Sequence, residues 1–410
     1  MGHRISRRAF IAGAGGIAVG AGSFGAGWAA GASGDDVPAG ALLPFHGPHQ
    51  VGITTHPAPA RGLMASFTVL ARDRPHLEEM FRELSDEVEG LMSGRPITPR
   101  DPAFPPADSG ILGPDPAPDD LSIVVSVGAS LFDGRFGLED RRPVELVEMP
   151  FLANDRLDPD RSHGDLLLTV QAQHPDTVLF ALRQLMRRTR RTLTLKWVVE
   201  GFNRRSNAGE RTTGSPRNLL GFVDGTANLG TGAEALGRYV WTAGRADREP
   251  AWTAGGSYHV VRVIRMLVEF WDRTPLAEQE ALIGRRKSDG APLDGVHETD
   301  VPDFAADPDG ERTPLDAHIR LANPRTPGTE GNLILRRGFS YTRGYDGAGQ
   351  LDQGLAFVSY QRSLGRGFLA VQSRLTGERL EEYIRPEGGG FFFALPGPAR
   401  GGYLGESLLA

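Results

Sequence analysis

Apolar residues along this chain fall into short runs of two kinds, and the order of those runs predicts the architecture. Gly62–Arg72 is a nearly continuous apolar run of strand length, and Leu77, Phe81, Leu84, Val88 and Leu91 then follow at spacings of four and three, one face of a helix. Leu121–Val127 and Leu166–Gln173 read as buried strands. Pro175–Arg190 reads as a helix with Val178, Leu182 and Leu185 inward, and Leu193, Leu195 and Trp197 alternate with Thr194 and Lys196 as in a half-exposed strand. The stretch Gly94–Asp120 carries eight prolines and no periodicity, which predicts a long surface loop. The pattern then recurs: Tyr258–Phe270 as a long strand, Leu276–Ile283 as a short helix, Leu355–Gln361 as a strand, Phe368–Leu375 as a helix and Phe391–Leu395 as a closing strand. Two halves of similar order predict an α+β protein of two ferredoxin-like domains, residues 40–215 and 216–405, each an antiparallel sheet with helices over one face.

Bulk composition narrows the class. The chain has 410 residues, 40% hydrophobic and 23% charged, which suits a globular protein. Its 45 basic and 51 acidic residues leave a net charge of −6, and the absence of a basic excess gives no support for nucleic-acid binding. Cysteine is absent, which excludes disulfides, thiolate ligation, iron–sulfur clusters and covalent haem attachment through Cys-x-x-Cys-His. Residues 1–32 read as an export signal: the twin-arginine pattern Ser6-Arg7-Arg8-Ala9-Phe10-Ile11, a Gly/Ala-rich apolar run to Trp28, and a small-x-small site at Ala30-Gly31-Ala32. Downstream of it no run of eighteen apolar residues predicts a membrane span. The loop Pro44–Pro59 holds His46, His49 and His56, but no carboxylate or thiol accompanies them to complete a metal site.

The candidate chemistry centres on Gly221-Phe222-Val223-Asp224-Gly225-Thr226-Ala227-Asn228, where glycines flank one acidic residue and allow positive φ and a close approach to a flat ligand. Downstream lie Asp316-Ala317-His318-Ile319-Arg320-Leu321-Ala322-Asn323-Pro324-Arg325 and Leu333-Ile334-Leu335-Arg336-Arg337-Gly338. These three segments, in this order, resemble the haem site of dye-decolorising peroxidases. The likeness is to the Tat-exported class that includes the deferrochelatases of bacterial ferrous-iron uptake. It extends to Phe45–Gln50, Ser162–Leu168, Phe357–Gln361 and Gly388–Gly397.

The resemblance implies one non-covalent haem b per chain in the C-terminal half, with His318 as the proximal iron ligand. Asp224 becomes the distal acid that moves a proton between the two oxygens of peroxide, and Arg336 the cation that stabilises charge on the departing one. The backbone of Gly225, Thr226 and Ala227, with Arg320, Asn323, Pro324, Arg325 and Arg285, would line the haem. A carboxylate should orient His318, and Asp316, Glu378 and Glu381 are the candidates. Gly338 stands where some classes of the family carry a distal Asn. The implied activity is oxidation of dyes and phenols by hydrogen peroxide through a ferryl and porphyrin-radical intermediate, with an optimum on the acid side. The alternatives are a deferrochelatase that releases iron from intact porphyrin and a non-enzymatic haem-binding protein. Further expectations are a periplasmic or extracellular location, iron-uptake proteins as partners, and a homodimer argued from family habit and open sheet edges.

Overall fold

The computed structural model describes residues 40–55, 58–113, 116–204 and 216–410. The export signal, His56 and the expected domain boundary at 215/216 fall on or beside positions outside that set. In the first half, β1 (Arg61–Val69), α1 (Arg74–Met92), β2 (Ser122–Gly128), β3 (Leu166–Ala172), α2 (Pro175–Arg188) and β4 (Leu193–Phe202) follow the expected order. Asp73 caps α1 by accepting from the His76 amide, and Leu77, Met80, Phe81, Leu84 and Val88 form its buried stripe. The strands run antiparallel in the order β2-β3-β1-β4, the βαββαβ arrangement of a ferredoxin-like unit.

The second half holds α3 (Ala233–Tyr239), β5 (Ser257–Met266), α4 (Val268–Trp271), α5 (Leu276–Ile283), α6 (His318–Ala322), β6 (Leu335–Arg336), β7 (Phe339–Tyr345), β8 (Leu351–Gln361), α7 (Ala370–Leu375) and β9 (Ile384–Ala394). Its strands follow the corresponding order β9-β5-β8-β7, with the short β6 beside β8. Three boundaries differ from expectation. β5 ends at Met266, because Phe270 and Trp271 turn back to bond the Leu267 carbonyl in a helical turn. β6 and β7 form in residues 333–345, a stretch outside the expected strands, although Phe339 and Tyr341 alternate there with Ser340 and Thr342. β9 begins seven residues before Phe391 and takes in Gly388–Gly390, where a Cβ at Gly389 would lie 2.1 Å from the Val261 carbonyl oxygen.

The two sheets do not stand apart. β2 pairs with β9 and β4 with β7, so the strands close into a barrel. One face of the closed sheet encloses a core drawn from both halves, including Met64, Val124, Trp197, Val261, Phe339, Val358 and Phe392; the other face carries the helices. By its contacts Ser33–Ala410 is one compact unit. Closure also removes the open edges from which dimerisation was argued. Buried Arg262 of β5 pairs with buried Asp155 of the first half, a further tie between the two. Among the described residues, no helix is long and apolar enough to cross a membrane.

Candidate active site

The Asp224 loop is built as its glycines require. Gly221 and Gly225 adopt φ of +88° and +103°, and Phe222 between them is buried edge-on against Trp271, whose Nε1 donates to the Leu220 carbonyl. Asn218 accepts from the amides of Leu220 and Phe222, and the Asp224 amide donates to Pro216. The loop is therefore anchored on its inner side and open on its outer side: a Cβ on Gly225 would meet nothing within 4 Å. Thr226 donates to Glu298 at 2.8 Å.

Strand β6 brings Arg336 to this loop, where Nη1 donates to Asp224 Oδ1 at 3.0 Å. The third predicted element also arrives. His318 donates from Nδ1 to Glu378 Oε2 at 2.8 Å, which leaves Nε2 as the outward lone pair. Burial alone would lower the His318 pKa, but the Glu378 carboxylate overrides it and holds the imidazole above its usual range; Arg336 and Asp224 act on it too, in opposite directions. All three side chains therefore lie within electrostatic reach of one another. The side chain of His318 is 34% accessible, beside 34% for Arg336 and 28% for Asp224, so none of the three is packed away in the core.

Of the three candidate carboxylates, Glu378 is buried on His318, Asp316 pairs with exposed Arg379, and Glu381 lies on the turn Arg379–Glu382. The helix α6 begins at His318 itself, after Ala317. Its carbonyl end is gripped by Arg374, which donates to Leu321 and Ala322 and to the Asn332 side chain. Arg374 has no local sequence signal, because its partners lie more than forty residues away.

The predicted arginines divide. Arg320 is spent on Asp307, Thr313 and Phe304, so it braces the acidic loop instead of facing the open space. Arg285 is buried on the carbonyls of Gly290 and Glu298. Arg325, in a left-handed conformation at φ +58°, keeps a buried Nε without a partner among the described residues. Burial lowers the pKa of Arg285, and nearby Arg325 and Arg336 lower it further, against Glu298 and Asp294, which raise it. Asn323 Oδ1 accepts the Arg325 amide, and Pro324 sits between them, half-buried. The Phe45–Gln50 segment lies elsewhere: His46 bonds Glu89, His49 stacks on Trp241 at 3.9 Å, and Gln50 bridges the backbones of β2 and Leu395.

These residues fit a haem. An oriented imidazole with a bare nitrogen suits the iron, space beside Gly225 suits a flat ring, and nearby cations with an orphaned Arg325 Nε suit the anionic edge of a porphyrin.

Residues 50–203 match the N-terminal domain of the Dyp-type peroxidase family and residues 215–399 match its C-terminal domain. The chain belongs to that family, and it is a haem-dependent peroxidase that oxidises organic donors with hydrogen peroxide. Among curated relatives it is 52% identical over 371 residues to a deferrochelatase of Escherichia coli O6:K15:H31, covering 89% of this chain and 87% of the relative. It is 49% identical over 368 residues to a deferrochelatase of Yersinia pestis bv. Antiqua, covering 89% and 84%. Among solved structures, the DyP-type peroxidase of Cellulomonas bogoriensis superposes with a TM-score of 0.81 at 33% identity, over 91% of this chain and 99% of that one. That of Streptomyces coelicolor gives 0.80 at 38%, over 90% and 97%.

Proposed function

We propose that His318 is the proximal ligand of a non-covalent haem b and that Asp224 and Arg336 are the distal catalytic pair. The observation that carries this reading is that three side chains distant in sequence come within electrostatic reach of one another, Arg336 paired with Asp224 and Glu378 fixing the imidazole of His318. The haem would supply the iron at which peroxide binds and the electrons for its reduction. This chain's residues do the rest. Asp224, held beside Arg336, would accept a proton from one oxygen of peroxide and return it to the other, so that water leaves. Arg336 stabilises the negative charge gathering on that departing oxygen. Glu378, by accepting from Nδ1, holds His318 in one tautomer and makes Nε2 more electron-rich. Arg325 would hold a propionate by charge-assisted hydrogen bonds.

The test is a set of holoprotein variants. Asp224→Asn and Arg336→Leu should keep the haem absorption band, and at least one should react with peroxide far more slowly than the parent. Parental rates in both would overturn the distal assignment.

A second reading, deferrochelatase activity, is favoured by the curated relatives of that name at 52% and 49% identity. The same His318, Asp224 and Arg336 would serve it. Reduced holoprotein should then accumulate metal-free porphyrin fluorescence, and its absence over many hours would remove this activity. The twin-arginine pattern of residues 1–32 supports an exported protein, and cell fractionation showing it confined to the cytoplasm would contradict that.

A further inference from the structure

We propose that Asn228 is the positioning residue that keeps the two distal side chains in register; this rests on the assignment of Asp224 and Arg336 as the distal pair. The argument begins with β6, which is two residues long. Its neighbour Arg337 turns its amide towards Val358 of β8, so the intervening Arg336 turns its own amide and carbonyl the other way. A half-buried strand edge of that kind is stabilised by finding partners. The Asn228 side chain supplies both: Oδ1 accepts from the Arg336 amide at 2.8 Å, and Nδ2 donates to the Arg336 carbonyl at 2.7 Å. One carboxamide thus takes the place of a neighbouring strand.

That carboxamide is itself held rigidly. The Asn228 amide donates to the Gly225 carbonyl at 3.0 Å, closing a turn that starts one residue after Asp224, and Oδ1 also accepts from the Leu229 amide at 3.0 Å. A short rigid path therefore runs from the Asp224 backbone, through the Gly225–Asn228 turn, to the Arg336 backbone. The direct Asp224–Arg336 ion pair spans the same gap, but it depends on the charge of a carboxylate that must gain and lose a proton in each turnover. The carboxamide does not titrate. When Asp224 takes up its proton and the ion pair weakens, Asn228 keeps the base of the guanidinium where the departing oxygen will need it. Only a side chain with one donor and one acceptor on the same planar group can do this, and at this length only Asn can.

The test uses holoenzyme carrying Asn228→Ala or Asn228→Asp; the aspartate keeps an acceptor for the Arg336 amide but loses the donor to its carbonyl. Three quantities are read: the second-order rate of reaction with hydrogen peroxide, the rate at which the oxidised enzyme then takes electrons from a dye, and deuterium exchange of the backbone amides in 333–339. Misplacement of a catalytic group by about 1 Å can cost on the order of 100-fold, so the peroxide step should fall about 10- to 100-fold while dye oxidation changes by less than about twofold. The amides around Arg336 should exchange faster, and the haem absorption should stay parental. If the alanine variant does not fold, the aspartate variant carries the same prediction. A peroxide rate within about twofold of parent in a folded variant, with Arg336→Leu slow, overturns the role of Asn228 and leaves the distal pair standing. An equal fall in both steps overturns it as well, since that is general loosening. Parental rates in Asp224→Asn and Arg336→Leu would instead take down the distal assignment, and this inference with it.

Discussion

The two halves of the molecule share one strand order and differ in what covers it. In the first, a helix of 19 residues and one of 14 lie along the sheet and bury a continuous apolar layer. In the second, the helices around the site have 8 and 5 residues, and the six-residue α7 continues an irregular π-helical turn at Gly365–Leu369. Helices that short do not hold themselves, because nucleation costs more than a few hydrogen bonds return. They are held from outside, as α6 is by Arg374 at its carbonyl end and by Glu378 on its first residue. Under this shorter cover Asp224, Arg336 and His318 stay partly accessible, whereas the apolar faces of the first half's helices are buried.

This contrast predicts that stability and cofactor chemistry can be damaged separately. The largest effect should follow His318→Ala, which should abolish the haem absorption band of the purified protein with little change in far-UV circular dichroism. A five-coordinate His-ligated spectrum in that variant would refute the ligand assignment. Next comes Phe81→Ala in α1, fully buried against the first sheet. It should cost about 3–5 kcal/mol in denaturant unfolding while the spectrum of the folded holoprotein stays parental; a shifted Soret band would show that the halves are not independent in this sense.

The barrel interior, shared by both halves, should respond to acid. His259 is wholly buried there, stacked 4.3 Å from Tyr360 and bonded through Nδ1 to Ser126, and burial pushes its pKa down to about 3. The folded protein thus leaves His259 neutral at pH values where the unfolded chain, at its ordinary value of about 6.5, takes up a proton. Stability is lost as pH falls below that value, by up to about 1.4 kcal/mol per pH unit from this residue alone. His259→Phe should flatten the fall between about pH 6 and 4 relative to the parent; identical slopes would remove His259 as the cause. The smallest effect expected is that of Glu378→Gln. It should weaken haem retention by about 10- to 100-fold and shift the iron–imidazole stretching frequency down, because a neutral amide draws less on Nδ1–H. An unchanged frequency would mean that Glu378 does not tune the ligand.

Much of this was legible before any coordinates. Periodicity located β1–β4, α1, α2 and α5, since a buried stripe or an alternating face leaves its spacing in the residues themselves. The motif around Asp224 located the loop, and its glycines adopt the positive φ expected of them. Other features were not legible because their causes lie far away in the chain. β6 pairs with β8, and β7 with β8 and β4, and the close approach of the Val261 carbonyl to Gly389 shows only in the folded β9. Glu378 could not be preferred over Asp316 or Glu381, as its partner is 60 residues away. The loop carbonyls to which Arg320 and Arg285 donate could not be read either, since only the fold brings them together.

The sequence by itself determined the glycine-flanked loop that presents Asp224 and which faces of the longer elements turn inward, because local spacing and local backbone freedom depend only on near neighbours. The tertiary structure decided that two ferredoxin-like sheets close into one barrel, that Arg336 meets Asp224 across 112 residues, and that Asn228 completes the strand edge between them. Those outcomes turn on pairing buried polar groups that are distant in the chain, and such pairing has no period to read.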